Sequence, residues 1–195
     1  MSVPLNDLLA GLRGRRLPTF VLVSSAIFSG SLLAGYSSEP SESGKVLEEL
    51  TRMLGPLKTL NRLELAALIF FNNSLKALVS MLSGLAFGLG PFLFLMINGS
   101  LLGLIARTAV TEHGVAVTLL SILPHGILEL PAIIVSTALG FRLGIVVFLK
   151  ILGRGSHVRK EIKLSLVFFA AVILPVLLVA AFVEVFLTGA LVGGT

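Results

Sequence analysis

The hydrophobic positions of this chain fall into long runs separated by short polar breaks, and the runs are too long and too uniformly apolar for soluble helices. The first, from Phe20 toward Gly35, follows Arg13, Arg15 and Arg16 and predicts a span over 19–35. It outlasts the core of a cleavable signal, which is about 7–15 residues, so it reads as a retained helix. Residues 36–64 form a polar interval. Tyr36 to Gly44 is rich in Ser, Pro and Gly, as loops are. Val46, Leu47, Leu50, Met53 and Leu54 then recur at helical spacing between Lys45, Glu48, Glu49 and Arg52, predicting an amphipathic helix that Gly55-Pro56 ends. Further spans are predicted over 65–86, 91–107, 115–139 and 164–187.

The segment 114–152 is the least regular. Pro124, Gly126 and Pro131 interrupt its apolar run, and Gly140-Phe-Arg142-Leu-Gly144 interrupts it again. A span needs about 20 apolar residues, so residues 140–152 are expected as a half-helix. Two paths fit: a broken span followed by that half-helix, or a pair of re-entrant segments shielded by protein.

Composition agrees with the pattern. Hydrophobic residues make up 55% of 195 and charged residues 13%, about half the charged share of a soluble domain. The chain is therefore a multi-pass membrane protein. It has no cysteine, which excludes disulfides and thiolate chemistry. Gln and Trp are also absent and Met is scarce, a composition that leans toward a heat-adapted source. The net charge of +5 fits basic loops beside anionic lipid, and no basic–aromatic surface for nucleic acid is present. Basic residues concentrate in the N-terminal arm and in Arg154, Arg159, Lys160 and Lys163, so both segments are expected to be cytoplasmic and 36–64 outside. Five crossings in the cell membrane satisfy this; six would place the basic loop outside.

The polar residues at membrane depth are few: Asn72, Asn73, Ser74, Lys76, Asn98, Arg107, His125, Glu129 and Glu184. His125 and Glu129 are four apart and share a helix face. Asn72, Asn73 and Asn98 lie on neighbouring predicted spans, so with His125 and Glu129 they form a candidate intramembrane polar site. Three readings stay open. In the first, Glu129 pairs with Lys76 or Arg107 and the Asn amides hold helices together. In the second, His125 and Glu129 supply two ligands to a divalent metal ion, although a zinc site normally needs a third or fourth. In the third, they line a substrate or proton path. Gly99 with Gly103, and Gly140 with Gly144, have the four-residue spacing that lets helices approach closely, within the chain or in a homodimer. No nucleotide loop, HExxH sequence or serine nucleophile elbow is present.

Phe71-Asn72-Asn73, Pro91 ahead of Asn98-Gly99-x-x-x-Gly103, Pro124-His125-Gly126-x-x-Glu129-x-Pro131-Ala132 and Gly140-x-x-x-Gly144 together resemble the stage II sporulation protein M family of integral membrane proteins. The likeness runs over about residues 18–190, and the Pro-His-Gly-x-x-Glu block after the Asn-Gly block is its most specific part. It implies a membrane protein whose namesake belongs to a complex that remodels septal peptidoglycan and anchors partner enzymes. Relatives occur widely in bacteria and archaea that never sporulate, and this chain looks like a non-sporulating, archaeal-type member.

The expected fold is an all-α bundle of about five transmembrane helices, with a broken or re-entrant His/Glu segment and an extracytoplasmic amphipathic helix. The hinge and packing positions are Gly99, Gly103, Pro124, Gly126, Pro131, Gly140 and Gly144. The expected function is a scaffold or anchor in membrane or envelope remodelling, with lipid, membrane or envelope proteins and a second copy as candidate partners. The alternative is an ion- or solute-coupled transporter using His125 and Glu129, and after it an intramembrane metal-dependent enzyme.

Overall fold

A computed structural model describes residues 17–38, 60–154 and 157–188, and the side chains of all of these but 120–125, 187 and 188. The expected amphipathic helix over 45–54 and the basic N-terminal arm lie outside the described residues. Within them the chain is helical, without strands: α1 Leu17–Tyr36, α2 Arg62–Leu82 with a 3-10 turn Ser83–Leu85, α3 Leu89–Ile151, α4 Val158–Phe168 and α5 Leu174–Val183. Five stretches are long and apolar enough to cross a membrane: Leu17–Tyr36, Arg62–Leu85, Leu89–Leu119, Gly126–Ile151 and Val158–Phe186. The protein is an all-α membrane bundle.

Local chemistry sets the ends and the irregularities. Asn61 caps α2: its side chain accepts from the Glu64 N–H at 2.9 Å, and its own N–H donates to Glu64 Oε2 at 2.8 Å, which satisfies two donors the first turn leaves open. The turn from α2 into α3 passes through positive φ at Phe87 (56°) and Gly88 (80°). Pro91 then sits in the first turn of α3, where a missing N–H costs nothing. The last span contains a π turn, Phe169–Ile173, in which the Leu174 N–H reaches the Phe169 carbonyl. Pro175 explains it, because its ring would collide with the carbonyl four residues earlier and a wider turn relieves the clash.

α3 is the long element, and it breaks where the sequence pattern does not point. Pro124, Gly126 and Pro131 all lie in continuous helix; the one residue with non-helical backbone inside α3 is Gly114 (φ 80°, ψ 163°), a region open essentially to glycine alone. The physical reason is location. Gly114 sits among exposed polar residues, Thr111, Glu112 and His113, where water satisfies the freed backbone groups, whereas a break at membrane depth leaves them unsatisfied. Nor do residues 140–152 form a separate half-helix. Residues 140–151 are the second half of the span Gly126–Ile151. Their glycines, expected both to interrupt the run and to let helices approach closely, are contact points in the bundle.

Those contacts set the packing. A Cβ on Gly103 would lie 2.0 Å from the Leu32 carbonyl oxygen, and one on Gly35 would lie 2.0 Å from that of Ser100. α1 thus rests backbone to backbone on the first arm of α3, through its buried stripe Ser24, Phe28, Ser31 and Gly35. On the other side, a Cβ on Gly84 would lie 2.0 Å from the Gly140 carbonyl oxygen, and one on Gly144 would lie 2.4 Å from the Gly88 nitrogen. The turn after α2 therefore seats on the second arm of α3. Both glycine pairs are filled within one chain, which removes them as the basis for a homodimer. α2, the second arm of α3 and the last span enclose the core of Ala77, Met81, Ala132, Leu139, Leu143, Phe168, Phe169, Ile173 and Leu177.

Candidate functional site

Polar groups buried in this bundle fall into two sets. The first lies where α2 meets the second arm of α3. Ser136 Oγ donates to the Ala77 carbonyl at 2.7 Å, and Ser80 Oγ donates to the same carbonyl at 2.9 Å. The two helices run parallel there, since Ala77 meets Ser136 and Gly84 meets Gly140. By that register Asn73 lies level with Ala132, and Glu129 lies one turn further toward the Arg62 end. Asn73 and Glu129 are 6% and 7% exposed, so both point into the bundle.

The other expected members are placed differently. Asn72 is exposed on the outside of α2, and its amide donates to the neighbouring Asn73 Oδ1 at 3.4 Å. Asn98 is half-buried, and its amide donates back to the Phe94 carbonyl of its own helix at 2.8 Å. His125 lies in the helical run of α3, with its side chain outside the description. Of the two cations weighed as partners for Glu129, Lys76 is exposed. Arg107 donates to the Tyr36 carbonyl at 2.9 Å, where a cation also suits the C-terminal end of α1. Among the described residues no three His, Asp or Glu side chains come together as a metal site.

The second set is an ion pair that the sequence did not suggest. Arg142, on the second arm of α3, donates through Nη2 to Glu161 Oε2 on α4. The side chains are 3% and 2% exposed. Arg142 lies in the interior of a membrane-spanning helix, and Glu161 in the first turn of α4, where a carboxylate also complements the helix dipole. The pair forms one wall of a cavity of about 620 Å³ shared with Thr19, Phe20, Ile145, Val146 and Leu149. In sequence Arg142 looked like part of a glycine break and Glu161 like one charge in a basic loop. Nothing in their spacing of 19 residues links them until the helices fold into a hairpin.

The sequence pattern of the family described as Stage II sporulation protein M matches residues 19–189. This chain belongs to that family. A relative from the archaeon Methanocaldococcus jannaschii, itself an uncharacterised protein, is 35% identical over 124 residues, covering 60% of this chain and 67% of the relative. No solved structure matches the chain. The Stage II sporulation protein M match takes in every buried polar residue named above. The matched stretch therefore spans the Arg142–Glu161 pair as well as the Asn, His and Glu positions, and assigns no role to any of them.

The ion pair generates a sharp expectation. Removing one partner of a buried pair leaves an uncompensated charge and costs about 3–5 kcal/mol, whereas replacing both with apolar groups is often neutral. Arg142→Met and Glu161→Leu are each expected to lower the unfolding temperature of the purified protein, and the double variant to recover most of the loss. Equal destabilisation by the double variant and the sum of the singles would show that the two side chains act independently.

Proposed function

We propose that this protein is a non-catalytic membrane scaffold that organises partner proteins in membrane or envelope remodelling. The observation that carries the reading is how the interior is used. The buried guanidinium and carboxylate face each other across two helices, the buried serines clasp a backbone carbonyl, and the glycines bring backbones together. Such an interior suits a rigid platform. A carrier needs two packings of similar stability and a polar route between them. The family's namesake role as an anchor points the same way. On this reading Glu129 and Asn73 are packing residues, and the exposed surface of the helices is where the work is done.

The test is transport itself. Purified protein is reconstituted in vesicles containing a pH dye and a divalent-metal dye. The scaffold reading expects proton and metal flux no faster than in protein-free vesicles. A saturable flux that Glu129→Gln abolishes would replace the scaffold with the transporter.

We also propose that the N-terminus faces the cytoplasm. One end of the bundle carries Lys150, Arg154, Arg159, Lys160 and Lys163, while the opposite end mixes Arg62 and Arg107 with Glu64, Glu112 and Glu184; the basic end belongs inside. The chain has no cysteine, so single substitutions report cleanly. Ser38→Cys is expected to react with a membrane-impermeant maleimide in intact cells, and Arg154→Cys only after permeabilisation. The reverse pattern inverts the topology.

A further inference from the structure

α2 turns a continuous stripe away from the bundle. Leu68, Phe71, Leu75 and Val79 are 41%, 68%, 63% and 54% exposed, and Asn72 and Lys76 are exposed between them. Counted from Leu68 the spacing is i, i+3, i+4, i+7, i+8, i+11, the period at which one helix face packs against another. Lys76 makes no hydrogen bond and no ion pair among the described residues.

The depth of Lys76 makes this unusual. It lies nine residues, or about 14 Å at the helical rise, from the Leu85 end of the span Arg62–Leu85, and further from the other. Centring that span in a hydrocarbon layer of about 30 Å puts Lys76 close to the midplane. Its four-carbon stem is too short to carry the ammonium to either headgroup region, as snorkelling lysines near helix ends do. Lipid tails offer no counter-ion at this depth. An ammonium that faces outward there is costly, and among the described residues none satisfies it; a carboxylate on an adjoining helix would.

We propose that this face of α2 is the docking surface for a membrane-spanning helix of a different protein, one that carries a carboxylate near its centre. This rests on the scaffold reading and gives it a surface and a partner chemistry. The carboxylate pairs with Lys76, the Asn72 amide hydrogen-bonds beside it, and Leu68, Phe71, Leu75 and Val79 supply the apolar packing. A second copy of this chain fits poorly. A two-fold contact through the stripe sets Lys76 against its own counterpart, and a symmetric interface pairs a patch with itself. Of the described carboxylates within the spans, Glu129 and Glu161 are buried in their own bundle, and Glu64 and Glu184 lie near span ends, away from the depth of Lys76.

The test uses the full chain in phosphatidylcholine vesicles, labelled with an energy-transfer acceptor at Ser38→Cys. The probes are three donor-labelled apolar peptides of about 20 residues, long enough to span, with Glu, Gln or Leu at the central position. The Glu peptide is expected to associate at least about tenfold more tightly than the Leu peptide, a difference of about 1.4 kcal/mol. Lys76→Leu should erase that preference and Lys76→Arg should keep it, and both variants fold normally because the side chain is exposed. Equal association of the Glu and Leu peptides, or a preference that survives Lys76→Leu, overturns the proposal. Transfer between copies of the chain that Lys76→Leu abolishes also overturns it, by assigning the face to a second copy. A saturable flux in the same vesicles without peptide, abolished by Glu129→Gln, sinks the scaffold reading instead, so the two failures are separable.

Discussion

Everything in this bundle depends on backbones that come closer than side chains would allow. Lipid offers helices no hydrophobic drive to associate, so contact has to come from close packing and interhelical hydrogen bonds. At Gly35 and Gly103 on one side, and at Gly84 on the other, a single added methyl group would collide with the backbone of the facing helix; at Gly144 it would meet the backbone of the Phe87–Gly88 turn and at Gly140 first the Pro91 ring. α3 is the common partner in both contacts. Its first arm carries α1, and its second carries the end of α2. The Gly114 break divides the two arms, which lets one long helix supply two spans that run in opposite directions.

Close packing governs the polar residues as well. The serine hydroxyls that meet at the Ala77 carbonyl reach it because the helices are near, and the Arg142–Glu161 pair closes between helices that a short turn holds together. A buried ion pair is weak evidence for stability. Here it joins α4 to α3 at the basic end of the molecule. The contrast with Lys76 is instructive. One cation at membrane depth is enclosed with a carboxylate from its own chain, and the other is left facing outward.

The number of spans was legible in the sequence because about 20 apolar residues are hard to use any other way in a membrane, although the fourth runs Gly126–Ile151 where 115–139 was expected. Less was legible wherever a residue's meaning depends on what faces it. Gly140 and Gly144 read in sequence both as a break and as a close-approach pair, and Gly84 and Gly88 opposite them decide for the contact. Pro124 and Pro131 are helix breakers in water, yet in the bundle they stay within a helix, and the break falls at Gly114, near water. Asn72 and Asn73 are adjacent and chemically identical, but one points into the bundle and the other out of it, which only the packing of α2 decides. The inward placement of Glu129 was anticipated from its surroundings. Its company was not, and neither was the charge pair, because Arg142 and Glu161 sit on opposite sides of a turn and carry no pattern that joins them.

Glycine-mediated approach within a single chain holds the helices together, and the unfolding free energies of three alanine variants in bilayers measure its contribution. Gly103→Ala and Gly84→Ala place a methyl group against backbone and are expected to cost about 1–3 kcal/mol. Gly30→Ala meets nothing within 4 Å and should change stability by no more than about 0.5 kcal/mol. The losses should not depend on protein concentration. If all three variants are equally stable, or the losses vanish on dilution, the contacts that organise this fold are not the ones described.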